Sequence, residues 1–390
     1  MIRNNRSFNK KIVVLCYLTI ISTVLTQVPT IASMFRPVMY VMWIILFIVT
    51  LIGNGFKLPT NRFLFGYLIT LVILIIECTF CNAIFNTHLD SYMLQVLPIP
   101  LLCYIVGLVL SKLLDKEAMK HCLVLFFFTS LIMFSYIFVT YVGSFSVWLN
   151  ANDYIYEQKN SAAQIIGCTI IATGFLIKPN NKWVNIGKYI ALSFLFLIII
   201  AIQCRTALVG LIITATVYYF LVLRGKKKII VTVLLLITLV AAFHMDIVMQ
   251  YVVKAFVFTE RQTMNLDYFT SGRITYFENA IQVFKQHPLF GTGHYRVDNL
   301  YLCLLSDVGL IGAVPALVLW LSRIVKNYRA FSKNKNAFNS CVLCLTVFYF
   351  AESIFEAYPP FGPGVCAFMF WIICAFLDMK GDNSWEITKA

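Results

Sequence analysis

The chain has 390 residues, of which 60% are apolar and only 12% are charged, and its mean hydropathy is +0.83. These fractions exclude a soluble globular domain, which contains fewer apolar and more charged residues. The net charge of +14 arises from 31 basic and 17 acidic residues. Because charges are so sparse, the positions of the basic residues decide whether they indicate a nucleic-acid site or a membrane topology.

Apolar stretches long enough to cross a bilayer, roughly 17–25 residues each, recur along the whole chain. We predict twelve spans, all helical because backbone polar groups at membrane depth must be hydrogen-bonded internally. The predicted spans are residues 12–29, 37–54, 63–81, 92–110, 122–142, 161–177, 187–203, 206–223, 229–243, 300–320, 338–356 and 363–377. The expected fold class is therefore an all-α polytopic membrane protein, with residues 1–390 forming a single integral membrane domain.

The distribution of Lys and Arg predicts the topology, because short cytoplasmic loops collect basic residues. With the amino terminus placed inside, 23 of the 31 basic residues fall in the inner segments. The even number of predicted spans then places the carboxyl terminus inside as well. Topology explains most of the excess positive charge, so we expect no nucleic-acid partner.

Twelve cysteines lie almost entirely within the predicted spans, and Cys341 and Cys344 have C-x-x-C spacing. This spacing can indicate metal or redox chemistry. A buried cysteine, however, usually behaves as a small apolar residue. We therefore expect no structural disulfide, no metal ion and no cofactor.

Two longer segments, residues 143–160 and 244–299, are expected on the outer side, whereas the predicted inner loops are short. In the second segment, TSGRITYFENAIQVFKQHP predicts an amphipathic helix along the membrane surface, with its polar side over a cavity. Its expected apolar face comprises Ile274, Phe277, Ile281 and Phe284. We therefore expect residues 244–299 to form the catalytic loop.

Two arginines on the predicted outer side are candidates for binding a phosphate. Arg205 lies at a very short hairpin, where an ionisable side chain usually has a functional partner, although a snorkelling interfacial residue is the alternative. Arg273 lies in the amphipathic helix, where it could equally belong to an ordinary charged face. Because a guanidinium binds oxyanions bidentately and stays protonated, the two arginines together indicate a phosphate site.

The run from Arg273 through Trp320 resembles the signature of the O-antigen ligase and polymerase family (Wzy-type) of bacterial polysaccharide assembly. The matching elements are Arg273, HPLFGTG at 287–293, DNLYL at 298–302, SDVGLIG at 306–312, Arg205-Thr206-Ala207 and Lys159-Asn160-Ser161. Their order and their placement relative to the spans agree with the family over about half of the chain.

The resemblance implies a multi-spanning, metal-independent glycosyltransferase that acts at the outer face of the cytoplasmic membrane. Its donor would be a glycan linked to polyprenyl diphosphate, such as undecaprenyl diphosphate. Arg205 and Arg273 would bind the diphosphate and neutralise the charge that develops on the leaving group. Further candidate substrate-binding residues are Lys159, Asn160, Glu278, Asn299, Tyr301 and Asp307.

The candidate general base lies before span ten. Ligases of the family have a His before the Asn at this point, whereas this chain has Asp298, which resembles repeat-unit polymerases of capsule and exopolysaccharide assembly. Asp298 could accept the proton of the incoming sugar hydroxyl, or it could cap the helix. His294 is the competing base because it titrates nearer neutrality, although it could be an ordinary loop residue.

Acidic residues also occur within the predicted spans, at Glu77, Asp307 and Glu352. Asp307 matches an acidic position of the family, and it either pairs functionally inside the bundle or makes a structural contact between helices. Glu352 precedes EAYPPFGPG, whose Pro and Gly residues are expected to shape an outer hairpin near the cavity.

The expected function is polymerisation of lipid-linked oligosaccharide repeat units for a capsule, exopolysaccharide or O-antigen. The alternatives are a ligase that transfers the finished glycan to an acceptor, and a transporter of polysaccharide or lipid-linked sugar. By resemblance, the expected partners are the lipid-linked oligosaccharide, membrane lipids, a chain-length regulator and a flippase.

Overall fold

The structure, a computed structural model, describes residues 6–59, 61–85, 97–141, 159–202, 204–223, 225–226, 228–229, 231–233, 272–293, 295–361 and 367–380. The main helices in these ranges are α1 (Arg6–Leu25), α2 (Ala32–Gly53), α3 (Arg62–Phe85), α4 (Pro98–Leu113), α5 (Lys116–Tyr141), α6 (Lys159–Leu176), α7 (Lys182–Ala201), α8 (Arg205–Val217), α9 (Arg273–Gln286), α10 (Leu300–Lys333), α11 (Ala337–Phe355) and α12 (Ala367–Lys380). A π-helical turn, Tyr218–Val222, extends α8.

Seven helices in the described part of the chain are long and apolar enough to cross a membrane: α2, α3, α5, α7, α8 with its π-helical turn, α10 and α11. Helices α4 and α12 contain shorter apolar segments. These elements confirm the predicted class, a helical polytopic membrane protein. The twelve-span count and the orientation stay predictions, and most of predicted span 229–243 lies outside the described residues.

The two predicted outer loops are described only in part. Helix α6 begins at Lys159, so the last two residues of predicted loop 143–160 are helical, and residues 142–158 lie outside the described ranges. In the predicted loop 244–299, the described portion comprises α9, the turn after it and the residues that lead into α10.

Glycine permits the close packing of α4 on α12. A Cβ added at Gly107 would lie 2.8 Å from the Cβ of Ala375 and 2.9 Å from the Cα of Ile372. Small residues at such contacts let membrane helices approach closely and gain van der Waals packing. Nearby, the chain after α11 folds back into the core, because Trp371 donates to the Pro360 carbonyl at 2.8 Å and stacks on Phe361.

A buried charge network joins α3, α4, α10 and α12. Arg323 donates to both carboxylate oxygens of Asp378 at 2.8 Å, and both side chains are fully buried. Lys326 pairs with the same carboxylate at 2.8 Å, and the Tyr104 hydroxyl donates to it. The Arg323 guanidinium also lies 4.6 Å from the ring centroid of Phe63. Three further side chains, Lys326, Tyr104 and Phe63, thus contact one buried ion pair, and the five groups come from four helices.

Helix α10 is interrupted at Gly309, whose backbone angles are φ 55° and ψ −164°. The turn that follows α9 compensates for this break. The backbone N–H groups of Thr292 and Gly293 donate to Ser306 and Asp307, at 2.9 and 2.8 Å. In the other direction, Leu310 donates to the Pro288 carbonyl at 2.9 Å. The two sequence motifs HPLFGTG and SDVGLIG therefore form one structural unit.

Replacing Gly309 by Ala is expected to destabilise the protein by about 3 kcal/mol or more, because its dihedral angles suit only glycine. An added Cβ would also lie 2.4 Å from the carbonyl group of Leu289. The control is Gly66→Ala on α3, where a Cβ would meet nothing within 4 Å. Thermal unfolding in detergent should show a large loss only for Gly309→Ala, and equal stability of the two variants would contradict the prediction.

Candidate functional site

The amino-terminal ends of four helices converge on the carboxyl-terminal end of α11. Lys159, Arg205 and Arg273 are the first residues of α6, α8 and α9, and Asn299 is the N-cap of α10. Each helix amino terminus carries partial positive charge from its unpaired N–H groups. Three cationic side chains and four helix amino termini therefore lie at this end of the bundle, together with the acidic side chains of Asp298, Glu352 and Glu356.

Arg273 lies between two carboxylates. Its Nη2 atom is 3.7 Å from Oδ2 of Asp298 and 3.6 Å from Oε1 of Glu356. The side chain of Arg273 is 26% exposed, and that of Asp298 is 57% exposed. Gly272, with φ 81°, precedes the helix and turns the chain into it. The guanidinium is thus held between the two carboxylates, and part of the side chain is exposed to solvent.

Glu356 connects three of the converging helices. It immediately follows α11, and its Oε1 accepts hydrogen bonds from Asn160 Nδ2 at 2.7 Å and Thr206 Oγ1 at 3.4 Å. Burial and, to a smaller extent, the charge of Asp298 raise the pKa of the Glu356 carboxyl, which is about 7. Arg273, Asn160 and Thr206 act in the opposite direction. Glu356 therefore joins α6, α8 and α9 around one carboxylate.

Glu352 lies one turn before Glu356 and is fully buried. Its Oε2 accepts a hydrogen bond from Gln164 Nε2 at 2.9 Å. Glycine lets α8 pack against this part of α11, because a Cβ at Gly210 would lie 3.1 Å from the Phe348 ring and 3.5 Å from Oε1 of Glu352. This packing aligns the acidic face of α11 with the amino-terminal ends of α6 and α8.

Lys159 and Arg205 each precede a residue that bonds to Glu356, namely Asn160 and Thr206. Lys159 is exposed and Arg205 is half-buried. Desolvation lowers the pKa of the Lys159 ammonium, and the charge of Arg205 lowers it to a smaller extent. The structure therefore brings four predicted site residues, Lys159, Asn160, Arg205 and Arg273, to one end of the bundle.

Asn299 and Tyr301 make contacts that place the start of α10. The Asn299 Oδ1 atom accepts from the Leu302 N–H at 2.9 Å, and its Nδ2 donates to the Ile354 carbonyl at 2.9 Å. The Tyr301 hydroxyl is 3.0 Å from Ser353 Oγ. These bonds fix α10 against the end of α11 and so place Asp298 beside Arg273. Sugar contacts by Asn299 and Tyr301 stay predictions.

Two other predicted site residues, Asp307 and Glu278, lie away from this cluster, and a third is outside the described residues. Asp307 is buried within α10, where its carbonyl accepts from Gly293 in the turn after α9. Glu278 is exposed on α9, five residues beyond Arg273 and therefore about 140° around the helix axis. His294 lies outside the described residues. The roles predicted for all three remain untested.

The predicted apolar face of α9 differs from the observed packing. Ala280 is buried, and it and Phe277 pack against a small cluster that includes Val297, Cys303 and Ala357. Ile281, expected on the apolar face, is 40% exposed. The difference arises because α9 packs on the start of α10 and on the chain after α11, and these contacts select the buried face.

Sequence reasoning missed the role of Glu356, together with those of Gln164 and Thr206. Glu352 was recognised as an acid within a predicted span, and Glu356 follows it by four residues. Residues four apart lie on the same helix face, so this spacing at a predicted outer helix end was a usable signal. Its partner Asn160, 196 positions away, could not be identified from the spacing.

The raised pKa of Glu356 predicts a pH-dependent effect on stability. Between pH 4.5, the ordinary value, and about 7, the folded protein binds more protons than the unfolded chain, so the free energy of unfolding falls as pH rises. Glu356→Gln removes this titration. As pH rises through this window, the wild type should therefore lose stability relative to Glu356→Gln. The change in the difference between their free energies of unfolding is about 3 kcal/mol at most.

Thermal unfolding at pH 5 and pH 8 tests this prediction. The control is Glu117→Gln, which removes an exposed carboxylate in the first turn of α5. A stability difference between Glu356→Gln and the wild type that stays constant with pH would show that Glu356 titrates normally.

The fold and the site define a class of protein: a multi-pass helical membrane protein with a cluster of cationic and acidic side chains at one end of its bundle. The family model described as O-antigen ligase matches residues 190–317. The matched segment contains Arg205, Arg273 and Asp298, whereas Glu356 lies beyond it. This match agrees with the resemblance to the O-antigen ligase and polymerase family. No curated protein matches the sequence.

Proposed function

We propose that the protein polymerises lipid-linked oligosaccharide repeat units. It would transfer the growing glycan from polyprenyl diphosphate to the next lipid-linked unit at the outer face of the cytoplasmic membrane. The observation that carries this proposal is Arg273, held between Asp298 and Glu356 where four helix amino termini converge. This arrangement combines an anion site with a solvent-accessible carboxylate, as transfer from a diphosphate to a hydroxyl requires.

In the proposed reaction, the cations act on the donor. Arg205, Arg273 and Lys159 bind the diphosphate, and the helix amino termini add positive potential. As the bond between the anomeric carbon and the phosphate oxygen breaks, negative charge accumulates on the leaving polyprenyl diphosphate. Preorganised cations at this point lower the barrier. This step needs no metal ion, so we expect a chelator to leave the rate unchanged.

Asp298 acts on the acceptor in this proposal. The acceptor hydroxyl oxygen forms the new bond to the anomeric carbon, and its proton passes to the Asp298 carboxylate. Asp298 is suited to this role because more than half of its side chain is exposed beside Arg273. Glu356 is largely buried and is a positioning residue, since it holds Arg273, Asn160 and Thr206 in place.

A ligase reaction is the second candidate, and the description of the matching family model favours it. The same donor site would serve both reactions, and the acceptor would differ. We favour the polymerase because Asp298 occupies the position at which ligases of the family carry His. The proposal also includes twelve spans with both termini inside, as the positive-inside distribution indicates.

The test is conversion of native lipid-linked repeat units by the purified protein in liposomes. A ladder of lengthened, lipid-linked glycans that disappears in Asp298→Asn but persists in Lys285→Ala supports polymerisation. Lys285 is an exposed residue in the last turn of α9 and serves as the control. Comparison with His294→Ala then shows which side chain accepts the proton.

Other outcomes would replace the proposal. If the wild type makes no ladder but moves finished glycan onto a separate acceptor, the protein is a ligase. If it carries repeat units across the liposome membrane without lengthening them, it is a transporter. Deletion in the native host gives a matching distinction, because loss of a polymerase leaves single units on the lipid and loss of a ligase leaves long chains there.

A further inference from the structure

Two short segments, residues 296–298 and 356–358, place polar side chains beside one another. Their middle residues, Val297 and Ala357, are both buried in the same apolar cluster. The residues that flank this buried pair keep part of their surface exposed, and they are Arg296 and Asp298 in the first segment and Glu356 and Tyr358 in the second. A shared apolar anchor therefore holds four polar side chains together at the surface.

The four polar side chains form two neighbouring pairs. Arg273 links the first pair, because its Nη2 atom lies 3.7 Å from Asp298 and 3.6 Å from Glu356. In the second pair, the Arg296 guanidinium lies over the Tyr358 ring, 4.4 Å from the ring centroid. Two positions along a chain span at most about 7 Å. The second pair therefore directly adjoins Asp298.

Both members of the second pair lie in anchored segments. The buried Ser306 side chain donates from Oγ to the Tyr295 carbonyl at 3.1 Å, immediately before the arginine. The buried Trp371 donates from Nε1 to the Pro360 carbonyl at 2.8 Å, two residues after Tyr358. These contacts hold the arginine and the ring in place before a ligand binds, which lowers the entropy that binding costs.

A guanidinium stacked on an aromatic ring is suited to binding a carboxylate. The ring covers one face of the guanidinium, whereas the N–H donors point outwards in its plane. Two of these donors match the two oxygens of a carboxylate, and such charged hydrogen bonds are stronger than neutral ones. Arg296 is exposed, so a ligand outside the protein can reach it.

We propose that Arg296, stacked on Tyr358, binds the carboxylate of an acidic sugar in the acceptor repeat unit. This assignment rests on the proposed function, in which the acceptor hydroxyl approaches Asp298. It names the substrate class: repeat units that contain a uronic acid. Because the stacked pair adjoins Asp298, the carboxylate of the reacting sugar or of its neighbour reaches Arg296 while the hydroxyl lies at Asp298. The cation also offsets the repulsion between an acidic sugar and the Asp298 carboxylate.

The test uses two lipid-linked acceptors that differ only in the carboxylate. One is the repeat unit with its uronic acid, and the other is the same unit with that group reduced to the primary alcohol. For the wild type, reduction should raise the acceptor KM about tenfold, equivalent to 1.4 kcal/mol, because a charged hydrogen bond is lost. Arg296→Gln should show the raised KM with both acceptors, since it lacks the group that distinguishes them.

Variants of the ring and a control complete the comparison. Tyr358→Phe keeps the aromatic face and should match the wild type, whereas Tyr358→Leu should raise the KM of the acidic acceptor only. Lys285→Gln removes an exposed positive charge from α9 and should leave both KM values unchanged. Thermal unfolding checks the fold of each variant. If Tyr358→Leu is unstable, Arg296→Gln decides the outcome, because it changes an exposed side chain.

Several results would overturn the assignment. An equal increase in KM for both acceptors in Arg296→Gln would show that the arginine does not bind the carboxylate. An increase in the KM of the donor instead would show that it binds the diphosphate. An effect that varies with the fraction of anionic phospholipid in the liposomes would assign it to lipid headgroups. A native repeat unit without an acidic sugar, as determined by mass spectrometry, would also overturn it.

Binding measured without glycan transfer separates this assignment from the proposed function. Calorimetry compares the free oligosaccharide of the repeat unit, in its acidic and reduced forms, with the protein in detergent. Tighter binding of the acidic form that Arg296→Gln abolishes, in a protein that lengthens no glycan, would overturn the polymerase function and leave the sugar site intact. Equal KM values for both acceptors in a wild type that makes the ladder would overturn the sugar site and leave the function intact.

Discussion

Arg273→Ala is expected to lower the rate of glycan transfer by about 10²–10³-fold, the usual cost of removing one preorganised group that stabilises charge in a transition state. The variant also leaves Asp298 and Glu356 without the cation that lies 3.7 and 3.6 Å from them. Arg273→Lys should recover only part of the rate, because an ammonium keeps the charge but cannot bind two oxygens in the same plane. The measurement is the initial rate of ladder formation.

The control for this prediction is Lys285→Ala, which removes one positive charge from the exposed last turn of the same helix. Thermal unfolding of each variant shows whether the fold is retained. A threefold change in rate corresponds to about 0.65 kcal/mol in the activation free energy. If stable Arg273→Ala protein keeps a rate within threefold of the wild type, Arg273 does not bind the diphosphate. Arg205→Ala then identifies whether the donor site lies at α8 alone.

Asp378→Asn is expected to destabilise the protein by about 3–5 kcal/mol, because it leaves the buried Arg323 guanidinium without its charge partner. Lys326, which pairs with the same carboxylate, is 42% exposed and can extend towards solvent. Arg323→Met should cost less, since Asp378 keeps the ion pair with Lys326 and the hydrogen bond from Tyr104. Lys326→Met should cost least.

Thermal unfolding and the yield of monodisperse protein in detergent measure this order. The double variant Arg323→Met with Asp378→Leu should recover much of the lost stability, because it removes both charges and leaves apolar side chains in an apolar site. If Asp378→Asn is no less stable than Lys326→Met, the pair is not buried as the structure shows. These substitutions also separate stability from transfer, since none of the three residues belongs to the cluster around Glu356.

Helix positions were largely predictable because apolar runs and their interruptions are local signals. The predicted span 63–81 corresponds to α3, Arg62–Phe85, and span 300–320 to the first part of α10. Helix α10 continues to Lys333 beyond its predicted span. The continuation was missed because Arg323 and Asn327 interrupt the hydropathy, whereas in the fold both are fully buried with polar partners.

The candidate site was predictable where one motif contained the signal. Arg205 was found because it lies at a short hairpin on the side where basic residues are sparse, and Arg273 because it lies in the predicted amphipathic helix of the outer loop. Lys159 was identified by the family resemblance alone. The break in α10 was not predictable from GLIG alone. It depends on hydrogen bonds between Gly293 and Asp307 and between Leu310 and Pro288, which form only when the turn after α9 packs against α10.

The amino-acid sequence by itself determined the class of the protein, the approximate positions of the apolar helices in the described ranges and the family resemblance, because hydropathy and ordered motifs are properties of the linear chain. Only the tertiary structure decided which acids face Arg273. Asn160 and Thr206 reach Glu356 across 196 and 150 positions, and glycine at 210 sets how closely their helices approach α11. Such contacts depend on three-dimensional packing, for which no single segment of the sequence contains the information.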